Sequence, residues 1–177
     1  PPPPTTSFKL YSDTLVGATG DTICFPGRAD NFTKIGGFQF SMGWNPAVAE
    51  FVKISYPTPQ LMDPALSASN FNISSNQTSA GKLSLTWVAT DLVNGQTLPN
   101  NSILFYVCLK AKGTTGQSTL VSFTDDPLGH EILDNNSKEI AWTVFPGRLT
   151  IGNAPPPPAT TFKLYSDTLV GVTGDTL

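Results

Sequence analysis

Apolar and polar residues alternate along most of this chain with a period of two. Phe38, Phe40, Met42 and Trp44 are interleaved with Gly37, Gln39, Ser41 and Gly43, and Leu83, Leu85, Trp87 and Ala89 with Lys82, Ser84, Thr86 and Val88. In ILFYVCLKA, Phe105, Val107, Leu109 and Ala111 form one face, and Tyr106, Cys108 and Lys110 the other. Because successive strand side chains point to opposite sides, such runs read as strands with one face in a core. The same reading places strands at 7–12, 21–26, 51–56, 119–124, 140–145 and 148–151. Turn-forming residues separate them: Asn45-Pro46, Asn94-Gly95, Pro99-Asn100-Asn101, Gly113 to Gly116, Asp125-Asp126-Pro127 and Pro146-Gly147. The stretch 57–80, rich in Pro, Ser and Asn, reads as a long loop around a short strand near Phe71 and Ile73. No amphipathic helix is predicted, although PAVAEFVKI at 46–54 imitates one. About nine short strands in two layers make an all-β sandwich.

The chain also repeats itself. Residues 1–23 match 155–177 with four changes, Thr5 to Ala159, Ser7 to Thr161, Ala18 to Val172 and Ile23 to Leu177. The expected organisation is a Pro-rich linker at 1–6, one complete repeat at 7–151, a second linker at 152–161 and the first strand of a following repeat at 162–177, as in a piece of a tandem array. The tracts Pro1, Pro2, Pro3, Pro4 and Pro155, Pro156, Pro157, Pro158 are expected to be stiff polyproline spacers of about 12 Å each.

Charged residues are only 13% of the chain, with a net charge of −3 and ten Lys plus Arg. That excludes the basic footprint of a nucleic-acid binder, and no apolar run approaches a membrane span. The PPPP start lacks the basic and apolar regions of a signal peptide. Polarity carried by Ser, Thr, Asn and Gln fits a secreted, extracellular cell-surface protein.

Candidate chemistry is sparse. His130 is the sole histidine and reads as a surface residue of the turn PLGHEIL. The three glutamates, Glu50, Glu131 and Glu139, form no obvious glycosidase pair, and no nucleophile-elbow, zinc-protease or P-loop motif occurs. The chain is therefore read as no enzyme, with no cofactor. Calcium at Asp125, Asp126, Asp134, Asn135 and Asn136 is an open possibility, beside the ordinary use of such residues in turns. Trp44, Trp87 and Trp142 offer a sugar-stacking reading, but Trp44 and Trp87 fall on apolar strand faces. Asn31, Asn72, Asn76, Asn100 and Asn135 begin glycosylation triplets.

Two cysteines remain. With Ile23 and Phe25 inward, Cys24 faces out, and with Val107 and Leu109 inward, so does Cys108. If their strands are neighbours the sulfurs meet on the outer face; the alternative is two unrelated buried thiols.

The segments GDTICFP, NFTKIGGFQFSMGWNPAVAEFVKI, GKLSLTWVATD, GQTLPNNSILFYVCLKAKG and STLVSFTDDP, in that order, resemble a cohesin-type domain, specifically the cohesin-like repeats of large secreted surface proteins of gliding bacteria. The resemblance covers about 7–151 and implies a nine-stranded jelly-roll sandwich. There the second and seventh strands are neighbours, which implies that Cys24 and Cys108 pair. Pro26-Gly27-Arg28 departs from the family pattern, and a bulge or an early strand end is expected there.

Three functions are in view. The first is a structural repeat of an extracellular filament or adhesin, giving reach, attachment and self-association. Its partners would be copies of itself, in adjacent repeats and neighbouring chains, with Phe162, Leu164, Tyr165 and Leu169 on an exchanged strand. The second is a cohesin-type module that binds a dockerin-like or carbohydrate partner. The third, an enzyme, is disfavoured by the inventory above.

Overall fold

The computed structural model describes residues 7–152. Both proline tracts and the expected exchanged strand at 162–177 lie outside the described residues.

Among the described residues, twelve strands build two facing sheets. The first contains β1 (Phe8–Tyr11), β3 (Thr22–Asp30), β5 (Ala49–Ser55), β8 (Ser102–Ala111) and β11 (Trp142–Phe145), in the order β11-β1-β3-β8-β5. The second contains β2 (Thr14–Gly17), β4 (Ile35–Gly43), β6 (Phe71–Asn72), β7 (Lys82–Val88), β9 (Ser118–Thr124), β10 (Glu131–Asp134) and β12 (Gly147–Ile151). Its order is β2-β12-β9-β4-β7-β6, with β10 also paired to β4. One edge of β4 is shared: residues 35–39 take β10 and residues 41–43 take β9.

The expected all-β sandwich is therefore present, with twelve strands in place of nine. Two additions are β2 and β10, and the loop strand near Phe71 is the third. The N-terminal strand expected at 7–12 is present as β1; beyond it the chain leaves the first sheet at Ser12-Asp13 and enters the second at Thr14 as β2, which was not expected. β1 runs parallel to β11 and β2 parallel to β12, so one end segment closes both sheets. Gly147 makes the crossing possible, because any Cβ there would collide with the Asp13 carbonyl. β10 escaped the pattern because a four-residue strand with one fully buried residue, Ile132, carries almost no periodicity. The polar helical turn α1 (Ser75–Ser79) was also not expected; it buries no residue and so leaves no amphipathic signal.

Pro26-Gly27-Arg28 does not end its strand. β3 runs to Asp30, and the irregularity falls on its partner: Gly27 pairs Phe105 and Arg28 pairs Ile103, so Leu104 is the extra residue. A Cβ at Gly27 would lie 2.6 Å from the Phe105 ring. Glycine thus lets that ring lie across the strand, and the bulge turns Leu104 into the core beside it.

Aromatic rings fill the space between the layers. Phe38 stacks on Trp87 with centroids 5.3 Å apart, and Phe40 of β4 meets Phe105 of β8 across the sandwich at 6.4 Å. Such pairs add about 0.5–1.5 kcal/mol each beyond their burial. The buried Trp87 indole donates Nε1–H to the Pro64 carbonyl at 2.8 Å, tying the loop after β5 to the core.

Cys24 and Cys108 face each other across β3 and β8 and form a disulfide. Both are on the outward side of their strands. Cys24 is exposed, whereas Cys108 is buried, because β8 lies between β3 and β5, where Lys53 stands opposite it.

Candidate docking face

The outer side of β4, β7 and β10 carries an apolar trough. Its floor is Gly36-Gly37, and side chains from β7 and β10 stand on either side of it. Both glycines are enforced by close approach. A Cβ on Gly36 would lie 2.7 Å from the Asp134 carbonyl, and one on Gly37 3.1 Å from the Trp87 carbonyl. Missing side chains make a furrow between strands that would otherwise present a continuous ridge. Val88 and Leu133 form its walls, and Leu92 extends it. Gln39, Thr86 and Glu131 supply a polar rim.

Val88 and Leu92 are each 54% exposed and Val93 is 80% exposed. Together they make the densest group of exposed large apolar residues among the described residues, which is the mark of an interaction surface.

Two stiff turns hold this apolar group in place. After β7, the Asp91 carboxylate accepts the backbone N–H of Val93 and Asn94 and the Asn94 side-chain amide. Those bonds, the Asn94 side chain foremost, hold the Asp91 carboxyl below the usual carboxylate range. Gly95 closes the turn with φ +62°, a conformation glycine adopts without steric cost. After β10, Asp134 accepts the backbone N–H of Asn136 and Lys138 and is lowered by them in the same way. Asn135 then bridges the turns, donating Nδ2–H to the Val93 carbonyl at 2.7 Å. An apolar surface held this firmly loses little entropy on binding.

Chemically the trough can bind but holds no reacting groups. Two carboxylates line it, Glu131 on the rim and Asp134, whose oxygen is taken up by the backbone N–H groups of its own turn. Glu50 lies on the other sheet, in β5, and Glu139 in the segment after β10.

The other residues singled out from the sequence are scattered. Trp44 and Trp87 are buried, as their strand faces predicted, while Trp142 is half-buried. His130 is not the simple surface residue expected. Its ring stacks on Trp142 at 4.2 Å, and its Nδ1 lies 2.6 Å from Asp125 Oδ1. Asp125 also accepts the His130 backbone N–H, and these bonds to His130 lower its pKa. Asp126 pairs with Lys82. The calcium candidates thus split between two turns, and among the described residues no three His, Cys, Asp or Glu side chains converge. Asn31 uses its amide to bond the Ser7 carbonyl at 2.9 Å.

The trough residues were missed by sequence reasoning, although a signal existed. Val88 is an apolar residue at a position where its strand otherwise puts Lys82, Ser84 and Thr86, and Leu92-Val93 sit inside a turn.

A cohesin domain family profile matches residues 9–144. No curated protein sequence matches the chain. Among solved structures, the sixth cohesin of Acetivibrio cellulolyticus scaffoldin B, in complex with a mutant Cel5 dockerin, aligns with TM-score 0.66 at 18% identity, over 83% of this chain and 100% of that one. The OlpC cohesin of Clostridium thermocellum, in complex with Doc435, gives 0.65 at 18% identity over 82% and 96%. A non-cellulosomal cohesin from the archaeon Archaeoglobus fulgidus gives 0.61 at 17% identity over 84% and 93%. At these identities the likeness concerns the fold. The two complexes nevertheless correct one expectation, that the partner is another copy of the same chain: each of these cohesins holds a dockerin.

Proposed function

The chain belongs to the cohesin domain family, and on that premise we propose that it is a docking module whose β4–β7–β10 face receives a dockerin module carried by another protein. The observation that carries this reading is the trough: a glycine floor, apolar walls exposed to solvent, and turns that keep them in position without a partner. The relatives solved with dockerins supply the class of partner. Isothermal titration of the 177-residue chain against a panel of dockerin modules tests it, with Val88→Asp and Leu133→Asp as the paired variants. Binding lost in both variants, with unchanged unfolding, supports the face. A dockerin that binds them as well as the wild type moves the site elsewhere, and a panel with no binder removes the reading.

The near-identity of 1–23 and 155–177 favours a further feature, a tandem array in which several such faces are displayed. A disulfide and a low-charge surface are in keeping with an extracellular array. A stalk or adhesin role without docking rests only on that repeat and is the weaker reading. Atomic force unfolding of the multi-repeat protein tests the array, with equally spaced events as the expected record.

A further inference from the structure

The first sheet presents a second, different surface on the opposite side of the sandwich. Residue pairing aligns one outward row across four strands: Phe145 of β11 beside Tyr11 of β1, then Arg28 of β3, then Ile103 of β8. At a strand spacing of about 4.8 Å the row is roughly 14 Å long. Phe145 is 51% exposed although its neighbour Val144 packs on the core. Tyr11 is tethered through its hydroxyl, which donates to Asp30 Oδ1 at 3.0 Å and lies 3.2 Å from Asn101 Oδ1. That tether fixes the tyrosine on the β3 side of its strand, while strand register sets it next to Phe145 of β11 on the other side. Burial and the hydrogen bond to Asp30 raise its pKa, so the hydroxyl stays a donor.

Planar polar groups flank the aromatic pair. Arg28 forks onto both oxygens of Asp13, at 3.4 and 3.3 Å, and donates a third bond to Asn101. The Asn101 backbone N–H donates to Asp30 Oδ1 at 2.7 Å. Both bonds to Asp30 fall on the same oxygen, which leaves its second oxygen free to accept. Lys9 and Arg28 balance Asp13 and Asp30, so the row carries no net charge, and the second Asp30 oxygen is among the groups its internal bonds leave open.

Aromatic faces beside rigid carboxylate, amide and guanidinium groups match the two sides of a sugar. Pyranose C–H faces pack on rings, and hydroxyl pairs take bidentate bonds from planar polar groups. We infer that the Phe145–Tyr11–Arg28 row binds a neutral, extended polysaccharide, of which a β-1,4-linked glucan is the simplest. The balance of charge argues against an anionic polymer. The flatness of a sheet face argues for a ribbon over a single sugar enclosed in a pocket. The aromatic platform suspected at the tryptophans is thus formed by other residues, because two of those tryptophans are spent on the core.

Affinity electrophoresis of the 177-residue chain through native gels containing hydroxyethylcellulose provides the test. Wild type should be retarded, and Phe145→Ala, an exposed position whose folding is checked by circular dichroism, should bind at least tenfold more weakly. Tyr11→Phe, which keeps the ring and loses the tether, should fall between them. Val88→Asp, on the far sheet, should be retarded as strongly as wild type, each relative to its own mobility in a gel without polysaccharide. The proposal is overturned by an unretarded wild type or by equal retardation of Phe145→Ala. Loss of retardation in Val88→Asp instead would place the glycan elsewhere, and retardation only by alginate that vanishes at high salt would mean an anion site.

Discussion

Reducing the Cys24–Cys108 bridge should cost this fold more than any single surface change. The two residues are 84 positions apart. In the chain-entropy description, closing a loop of that length removes about 4.5 kcal/mol of conformational freedom from the unfolded state at 25 °C. A folded unit of about 150 residues unfolds with roughly 0.3 kcal/mol/K of entropy, so the loss corresponds to a fall of about 15 °C in Tm. The native strands need not move. β3 and β8 are paired on both sides of the bridge, from Thr22 to Ala29, and Phe25, Val107 and Leu109 bury the inner face whether or not the sulfurs are joined. The measurement is guanidinium unfolding followed by fluorescence of the buried Trp44 and Trp87, for oxidised and dithiothreitol-reduced protein. Cys24→Ala/Cys108→Ala serves as a third sample. Reduced wild type is the cleaner comparison, since the variant also truncates the buried Cys108. The reduced form should keep its far-ultraviolet circular dichroism, unfold earlier and show a steeper denaturant dependence, because its unfolded chain is less compact. A difference below about 1 kcal/mol between the oxidised and reduced forms would refute the entropic argument. Two titratable thiols in the native, non-reduced protein would refute the bridge itself.

Four further outcomes follow from the same geometry. Phe40→Ala removes a ring that contacts both Phe105 and Phe123 in the core and should cost about 3–5 kcal/mol by chemical denaturation. Gly27→Ala puts a methyl group against the Phe105 ring and should cost about 1–3 kcal/mol, with Phe105→Leu in the same chain relieving part of the loss. Val88→Asp should leave Tm nearly unchanged while weakening dockerin binding at least tenfold in titration calorimetry, since the residue is exposed and packs on nothing essential. Asp125 is held below its ordinary pKa by His130, so its stabilising contribution is present above the unfolded carboxylate value and is lost as pH falls through the lower folded one. Asp125→Asn should therefore be less stable than wild type at pH 5, and the two melting curves should converge as pH falls below the ordinary carboxylate range.

Much of the sandwich is legible in one dimension because period-two burial is a local property. Phe38 to Trp44, Leu83 to Ala89 and Phe105 to Ala111 declare both their conformation and their inner face, and the outward direction of both cysteines follows from the apolar neighbours in sequence. The trough is different in kind. Gly36 and Gly37 become a floor only because Asp134 and Trp87, about a hundred and about fifty residues further along the chain, bring their carbonyls against them. Leu92 and Val93 resemble any turn residues until Asn135 reaches across from the turn after β10 to fasten Val93. The crossing of the first strand between sheets, the bulge at Leu104 and the row from Phe145 to Arg28 likewise depend on which strands become neighbours. Alternation along a strand tells each residue whether it faces in or out; only the packing of distant strands decides what stands beside it, and binding depends on neighbours.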